Sequence, residues 1–197
     1  MCSLWFHAAI LDVFRPCCQV SQQGQHHLRT FSGVAATPDA VCAASVAQLR
    51  HIITVYRLNC ESSAYSILWH TALIYVTNAI LDGDMQENEH LDLLSCIYAY
   101  EILARSWRVA AAIAKSLLSL AMQKSKMSSH TARHILHDLK NDRLDVFFGE
   151  IRATFMADLN LALTDPSSAT VEYLAQQFED NVLLKEYTTV LDSMKPN

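Results

Sequence analysis

A chain of 197 residues that is 51% hydrophobic has the material for one domain with a real core, and that composition excludes global disorder. A net charge of −5 argues against an autonomous duplex-DNA binder, which needs a basic stripe to meet phosphates. Four glycines and four prolines are too few for a turn-rich β fold, and abundant Ala, Leu, Ser and Gln favours helix.

The first predicted helix spans 3–14 and stops before Pro16, which lacks the amide a helix interior uses. Leu4, Ala8, Leu11 and Phe14 share one face, with Ile10 beside it. Beginning so abruptly with a core-type helix is what a piece of a longer protein would do. Residues 16–36, rich in Gln, Ser, Gly and His, read as a long loop. Thr37-Pro38-Asp39 is a strong helix start: a capping hydroxyl, Pro at the first helical position and an acid in the first turn. That helix is predicted over 37–58, with Cys42, Ser45, Leu49, Ile52, Ile53 and Tyr56 inward. Ser62 or Ser63 is expected to cap the next, running to Leu81 with Tyr65, Leu68, Trp69, Ala72, Leu73, Val76 and Ile80 inward. Asp82-Gly83-Asp84 ends it.

A helix over 89–106 is predicted to bury Leu91, Leu94, Tyr98 and Ile102, with Leu93 and Ile97 on an adjoining face. Over 107–124, Val109, Ile113, Leu117 and Leu120 are spaced for burial, and Lys124 and Lys126 suit the negative end of the helix dipole. Ser128 or Ser129 caps a short helix to about 140. Further helices are expected over 142–163 and 170–193, separated by the breaker Asp165-Pro166-Ser167-Ser168. Strict alternation is absent and no fixed-period repeat occurs. The fold class is therefore all-α, an irregular array of seven to eight helices.

Six cysteines (Cys2, Cys17, Cys18, Cys42, Cys60, Cys96) form no C-x-x-C pair, and their scatter suits buried thiols in a reducing compartment. The adjacent Cys17-Cys18 is a weak redox candidate. His7 and Asp12 interrupt the first apolar stretch, which also lacks a charged leader, so it does not read as a signal peptide. The most apolar segment, 67–81, is broken by His70, Thr71, Thr77 and Asn78. It falls short of the roughly 20 apolar residues of a membrane span. No basic run looks like a nuclear import signal.

Five helical patterns follow one another along the chain. An aromatic-plus-His helix contains Phe6 and His7 and closes on Arg15-Pro16. A Cys/Ala-rich helix runs from Cys42-Ala43-Ala44 to Val55-Tyr56-Arg57. An apolar helix follows a polar turn, then a Leu-rich helix, a Trp at the junction (Trp107) and an Ala/Ile/Leu helix. In that order they resemble the C-terminal half of the fungal-specific transcription factor domain, the helical regulatory region of zinc-cluster transcription factors, nearest in kind to nitrogen-assimilation activators. The resemblance covers residues 1–125; residues 126–197 read as a helical C-terminal extension without a recognisable motif. It implies a non-catalytic regulatory or interaction module, a nuclear location, protein partners or the remainder of a transcription factor, and control by packing, by binding of a small-molecule effector or by partner binding. The six scattered cysteines cannot reproduce the family's zinc cluster, so no zinc cofactor and no direct nucleic-acid binding are expected of this chain, nor any membrane association. Trp69, Tyr75 and Tyr98 are the candidates for lining an effector pocket, with Trp5, Trp107 and Tyr100 as further aromatics.

Reactive constellations are sparse. His130, His134 and His137 share one helix face, and an i, i+4 pair can hold zinc, yet Thr131 stands where the metalloprotease motif has Glu. A mixed polar face, with Ile135, Leu136 and Leu139 making the apolar contacts, is the simpler reading. Asp82, Asp84, Glu87, Glu89 and Asp92 form an acidic patch. Counted from Asp82, the sixth and twelfth positions of an EF-hand loop are Glu87 and Leu93 instead of Gly and Glu, so the patch reads as a solvated connection. Asp142 and Glu150 have the outer spacing of a terpene-cyclase metal motif, but Val146 replaces the required hydroxyl. His7 and His70 lie in apolar helices and read as packing histidines. No Gly-x-Ser-x-Gly elbow or phosphate-binding glycine loop is present. The competing functional class is a small helical enzyme or ligand-binding carrier unrelated to transcription; a decayed fragment is the third.

Overall fold

The computed structural model describes residues 2–20, 37–83, 87–141 and 153–181. The fold is all-α. Six helices run Cys2–Val20 (α1), Pro38–Asn59 (α2), His70–Asp82 (α3), Glu87–Ala104 (α4), Arg108–Gln123 (α5) and Ser129–Asn141 (α6), and a further helix (α7) occupies 171–181. Among the described residues there is no strand beyond a single antiparallel bridge, Met156 to Thr170.

Helices α3 and α5 form the centre. From Ala72 to Leu81 only Ala79 escapes full burial, and α5 is buried without a break from Ala110 to Ala121. A helix buried on all sides needs neighbours on all sides. α1 and α2 pack together over α3, α4 lies against both α3 and α5, and α6 covers α5. One continuous core runs from Leu4 to Phe178, so the segment 153–178 contributes to it.

Local signals set several boundaries as expected. Thr37 is extended and accepts from the Ala40 amide at 3.2 Å, with Pro38 first in the helix. Ser128 accepts from the Thr131 amide at 3.0 Å and starts α6. Gly83 closes α3. The basic residues after α5 serve a different helix from the one expected: Lys124 pairs with Asp82, and Lys126 donates to the Gly83 carbonyl at 2.6 Å. Both place positive charge at the carbonyl end of α3.

Four expectations are corrected. Pro16 does not end α1; it sits inside the helix, which continues to Val20. Asp12, whose carbonyl loses its amide partner, and Pro16 are both exposed, and beyond them the Cys18 thiol donates back to the Phe14 carbonyl at 3.4 Å. α3 does not begin at Ser62. Two 3-10 turns, Glu61–Ala64 and Ile67–Trp69, precede it; the Ser62 hydroxyl is 2.8 Å from the Tyr56 hydroxyl and caps nothing. Tyr65 and Leu68 accordingly face out at 58% and 53% exposure. α4 is rotated from its predicted face: Leu91 is exposed, while Leu93, Cys96, Ile97, Tyr100 and Leu103 are buried. Finally, 153–160 is not helical; it is irregular, bridged to Thr170 at Met156 and with the Ala157 amide on the Ala169 carbonyl at 2.8 Å, and leads into a 3-10 turn at Leu161–Leu163. The predicted Asp142 and Glu150 pair and the helix beyond residue 181 lie outside the described residues.

Candidate functional site

The inner face of α1 starts apolar and turns polar. Leu4, Ala8 and Leu11 are buried, while one and two turns later the same face carries Arg15 and Cys18. α2 opposes this end with small side chains: Cys42, Ala43, Val46 and Ala47. Where two helices bring small or polar groups together, apolar packing stops short and leaves space. The result is a cleft of about 610 Å³ walled by α1, α2 and α3, with Leu159 and Asn160 closing one side. That volume lies in the range of small-molecule sites, about 300–1,000 Å³.

Its chemistry is mixed. The Arg15 guanidinium lies over the Tyr75 ring, 5.7 Å from the centroid, a cation–π arrangement. The Tyr75 hydroxyl donates to Asp12. Burial, then the Asp12 bond and charge, push that phenol above its ordinary pKa. Arg15 Nε and Nη1 and Arg50 Nε are buried without a partner. Arg50 also reaches Glu89 at 2.8 Å and Asp92 at 3.6 Å, tying α2 to α4. The Cys18 and Cys42 sulfurs are 3.6 Å apart. Burial pushes the Cys18 thiol up to about 12, helped by Cys42 and Asp39, and burial raises Cys42 as well. Both are protonated at neutral pH, so they pack instead of attacking.

Asn78 builds the far wall. Its carboxamide donates to the Ile74 carbonyl at 2.9 Å and the Ala157 carbonyl at 2.8 Å, and accepts from the Leu159 amide at 2.9 Å. This fixes the irregular 153–160 segment against α3. Asp82, bound by Lys124 and Asn160, anchors the rim.

Of the three aromatics expected to line a pocket, Tyr75 alone lines this one. Trp69 is buried in the core, edge-on to Tyr56 at 5.4 Å. Tyr98 is half-buried on α4, where burial and the charges of Asp138 and Glu101 raise its phenol. Tyr100 is buried and donates to the His70 carbonyl at 3.0 Å. The residues that carry the family resemblance mostly act as ties. Tyr56 stacks on Trp69; Arg57 donates to the Ser95 carbonyl at 2.8 Å; Trp107 donates to the Tyr65 carbonyl at 2.6 Å. Phe6 contacts His7 edge-on and is 62% exposed. With Trp5, Ala9 and Val13, Phe6 forms an outward apolar stripe on α1.

His130, His134 and His137 are exposed on α6, and His134 pairs with Asp138 at 3.0 Å. His70 is half-buried against Phe155. In the acidic patch, Asp82, Glu89 and Asp92 are engaged by Lys124 and Arg50, which makes it a bound connection instead of a solvated one; Asp84 lies outside the described residues. Among the described residues no group of three potential ligands is placed to hold a metal ion, and no helix is long and apolar enough to cross a membrane. Sequence reasoning missed Cys18, Cys42, Arg50 and Asn160 as cleft residues. The signal for Asn78 was available: a carboxamide inside an otherwise apolar helix needs partners.

Comparison with protein-family models, with curated proteins and with solved structures finds no match to this chain.

Proposed function

We propose that the chain is a non-catalytic regulatory or interaction module of the zinc-cluster transcription factor kind, without a DNA-binding cluster of its own. The observation that carries this reading is the double face of α1. Its inner side walls a ligand-sized cleft, and its outer side presents Trp5, Phe6 and Val13 at 49%, 62% and 64% exposure. Contiguous exposed apolar side chains mark protein contact surfaces. A molecule that binds two spacings of α1 unequally shifts the population between them, and the outer stripe moves with the helix. The order of the ties made by Tyr56, Arg57 and Trp107 along the chain supports the family reading. On this reading the module works in the nucleus, and its partner is the remainder of a transcription factor or a protein that carries one.

The test is a fusion of the whole chain to an unrelated DNA-binding domain driving a reporter in a fungal nucleus. Filling the cleft with Ala47→Trp is expected to change reporter output at equal protein level. Output equal to that of the DNA-binding domain alone, for wild type and variant both, refutes the reading. The isolated chain is expected to give no sequence-selective, salt-dependent mobility shift with duplex DNA. A ligand carrier unrelated to transcription is a second reading that the same cleft supports; it predicts ligand binding with an inert reporter.

A further inference from the structure

The geometry points to a small organic anion, a monocarboxylate with an apolar body, as the occupant of the α1–α2–α3 cleft, its carboxylate held by Arg15. The inference rests on reading the cleft as an effector site.

It comes from counting which charges are already matched. On the acidic side, Glu89 is bound by Arg50 at 2.8 Å. Asp82 is bound by Lys124 and Asn160, and Asp12 accepts the Tyr75 hydroxyl. Asp39 stands at the other edge, beside Cys18. On the basic side the account does not close. Arg15 makes no ion pair among the described residues; its partner is the Tyr75 ring face, and two of its nitrogens are buried without an acceptor. Arg50 Nε is a third buried donor without one. The cleft therefore has buried donors left over while, of its lining carboxylates, Asp82 and Glu89 are paired and only the exposed Asp39 makes no ion pair among the described residues.

A buried guanidinium without an acceptor is costly, and a carboxylate supplies what it lacks, two oxygens matched to the planar fork. The remaining wall, Leu11, Val46, Ala47, Ala79 and Leu159, offers aliphatic surface and no further cation. An anion with a hydrocarbon body satisfies both parts. A phosphate alone would leave the aliphatic wall wet, and an ammonium would meet Arg15 with like charge.

The experiment is displacement of the neutral apolar dye N-phenylnaphthylamine from the purified full chain by octanoate, octanamide and octylammonium. Octanoate is expected to displace it at about tenfold lower concentration than octanamide, the gain of a charge-assisted over a neutral hydrogen bond, and octylammonium more weakly than either. Arg15→Gln is expected to erase the octanoate preference, Arg15→Lys to keep part of it, and Ala47→Trp to abolish dye binding. Equal displacement by octanoate and octanamide, or a preference that survives Arg15→Gln, overturns the anion assignment while leaving the cleft as a binding site. Absent dye binding, or dye binding indifferent to Ala47→Trp, removes the effector site itself. If Arg15→Gln does not fold, the wild-type ratio and Arg15→Lys decide.

Discussion

Replacing Asn78 tests how the far wall of the cleft is held. The side chain is 3% exposed and sits on the central helix. Truncation by Asn78→Ala strips the Leu159 amide of its acceptor and the Ala157 carbonyl of a donor; those bonds measure 2.9 and 2.8 Å. A buried polar group left unsatisfied costs about 1–3 kcal/mol. Two such groups, partly relieved by water reaching half-buried Leu159, give an expected loss of about 2–4 kcal/mol. Asn78→Leu keeps the volume but not the bonds, so it separates hydrogen bonding from packing. Both variants are read by urea unfolding followed by far-UV circular dichroism, as a lower midpoint at unchanged slope. Limited thermolysin cleavage near Phe155 and Leu159 is expected to quicken. Stability within about 0.5 kcal/mol of wild type for both variants, the range of ordinary surface substitutions, would refute the claim that these bonds hold the segment.

Trp69→Ala, in the core beneath Tyr56, is expected to cost about 3–5 kcal/mol, seen as loss of cooperative thermal unfolding or a sharply lower midpoint. Burial lowers the His70 imidazole pKa below its ordinary 6.5. The unfolded chain then binds the proton first, so stability is full above pH 6.5 and declines as pH falls through the folded value. His70→Phe is expected to flatten that acid-side decline; an unchanged pH profile counts against it. Cys18, with its thiol pushed up to about 12, is expected to alkylate more slowly with iodoacetamide at pH 8 than exposed Cys2, as followed by peptide mass spectrometry; faster labelling of Cys18 would show that the pair is open.

What was legible in the sequence was local. Thr37-Pro38-Asp39 and Ser128 specify helix starts through bonds made within one turn, and these stand where they were expected. The apolar weight of α3 and the spacing of Ile113, Leu117 and Leu120 in α5 marked both helices for burial; that they are central came from the packing around them. What was not legible depended on partners elsewhere in the chain. α4 has Leu or Ile on two adjoining faces, so periodicity could not choose between Leu91 and Leu93; packing between α3 and α5 did. Pro16 reads as a terminator, yet both it and Asp12, whose carbonyl it leaves without an amide, are exposed residues, so the lost helix bond does not have to be made up within the core. The irregular run at 153–160 bonds to Asn78 and to Ala169, so helix propensity was overridden by tertiary bonds. Tyr75 was a legible cleft residue; Trp69 and Tyr98 sit on the same kind of pattern but point elsewhere.

The cleft itself follows from a gradient that two helices share. Along α1 the buried face passes from Leu4, Ala8 and Leu11 to Arg15 and Cys18. Along α2, read in the opposite direction, it passes from Ile53 and Leu49 to Ser45 and Cys42. Cys18 meets Cys42 at the polar end of both, so the pair is tightly packed where both faces are large and apolar and open where both are small or polar. Had either helix kept leucines to its end, dispersion and burial would have closed the space. A cleft made this way is held from one end, with Arg15, resting on Tyr75, as the charged group at its open end. Anything that binds there acts on the less tightly packed half of α1, the half next to the outward Val13, and on the proposed reading this is what couples the inner and outer sides of the helix.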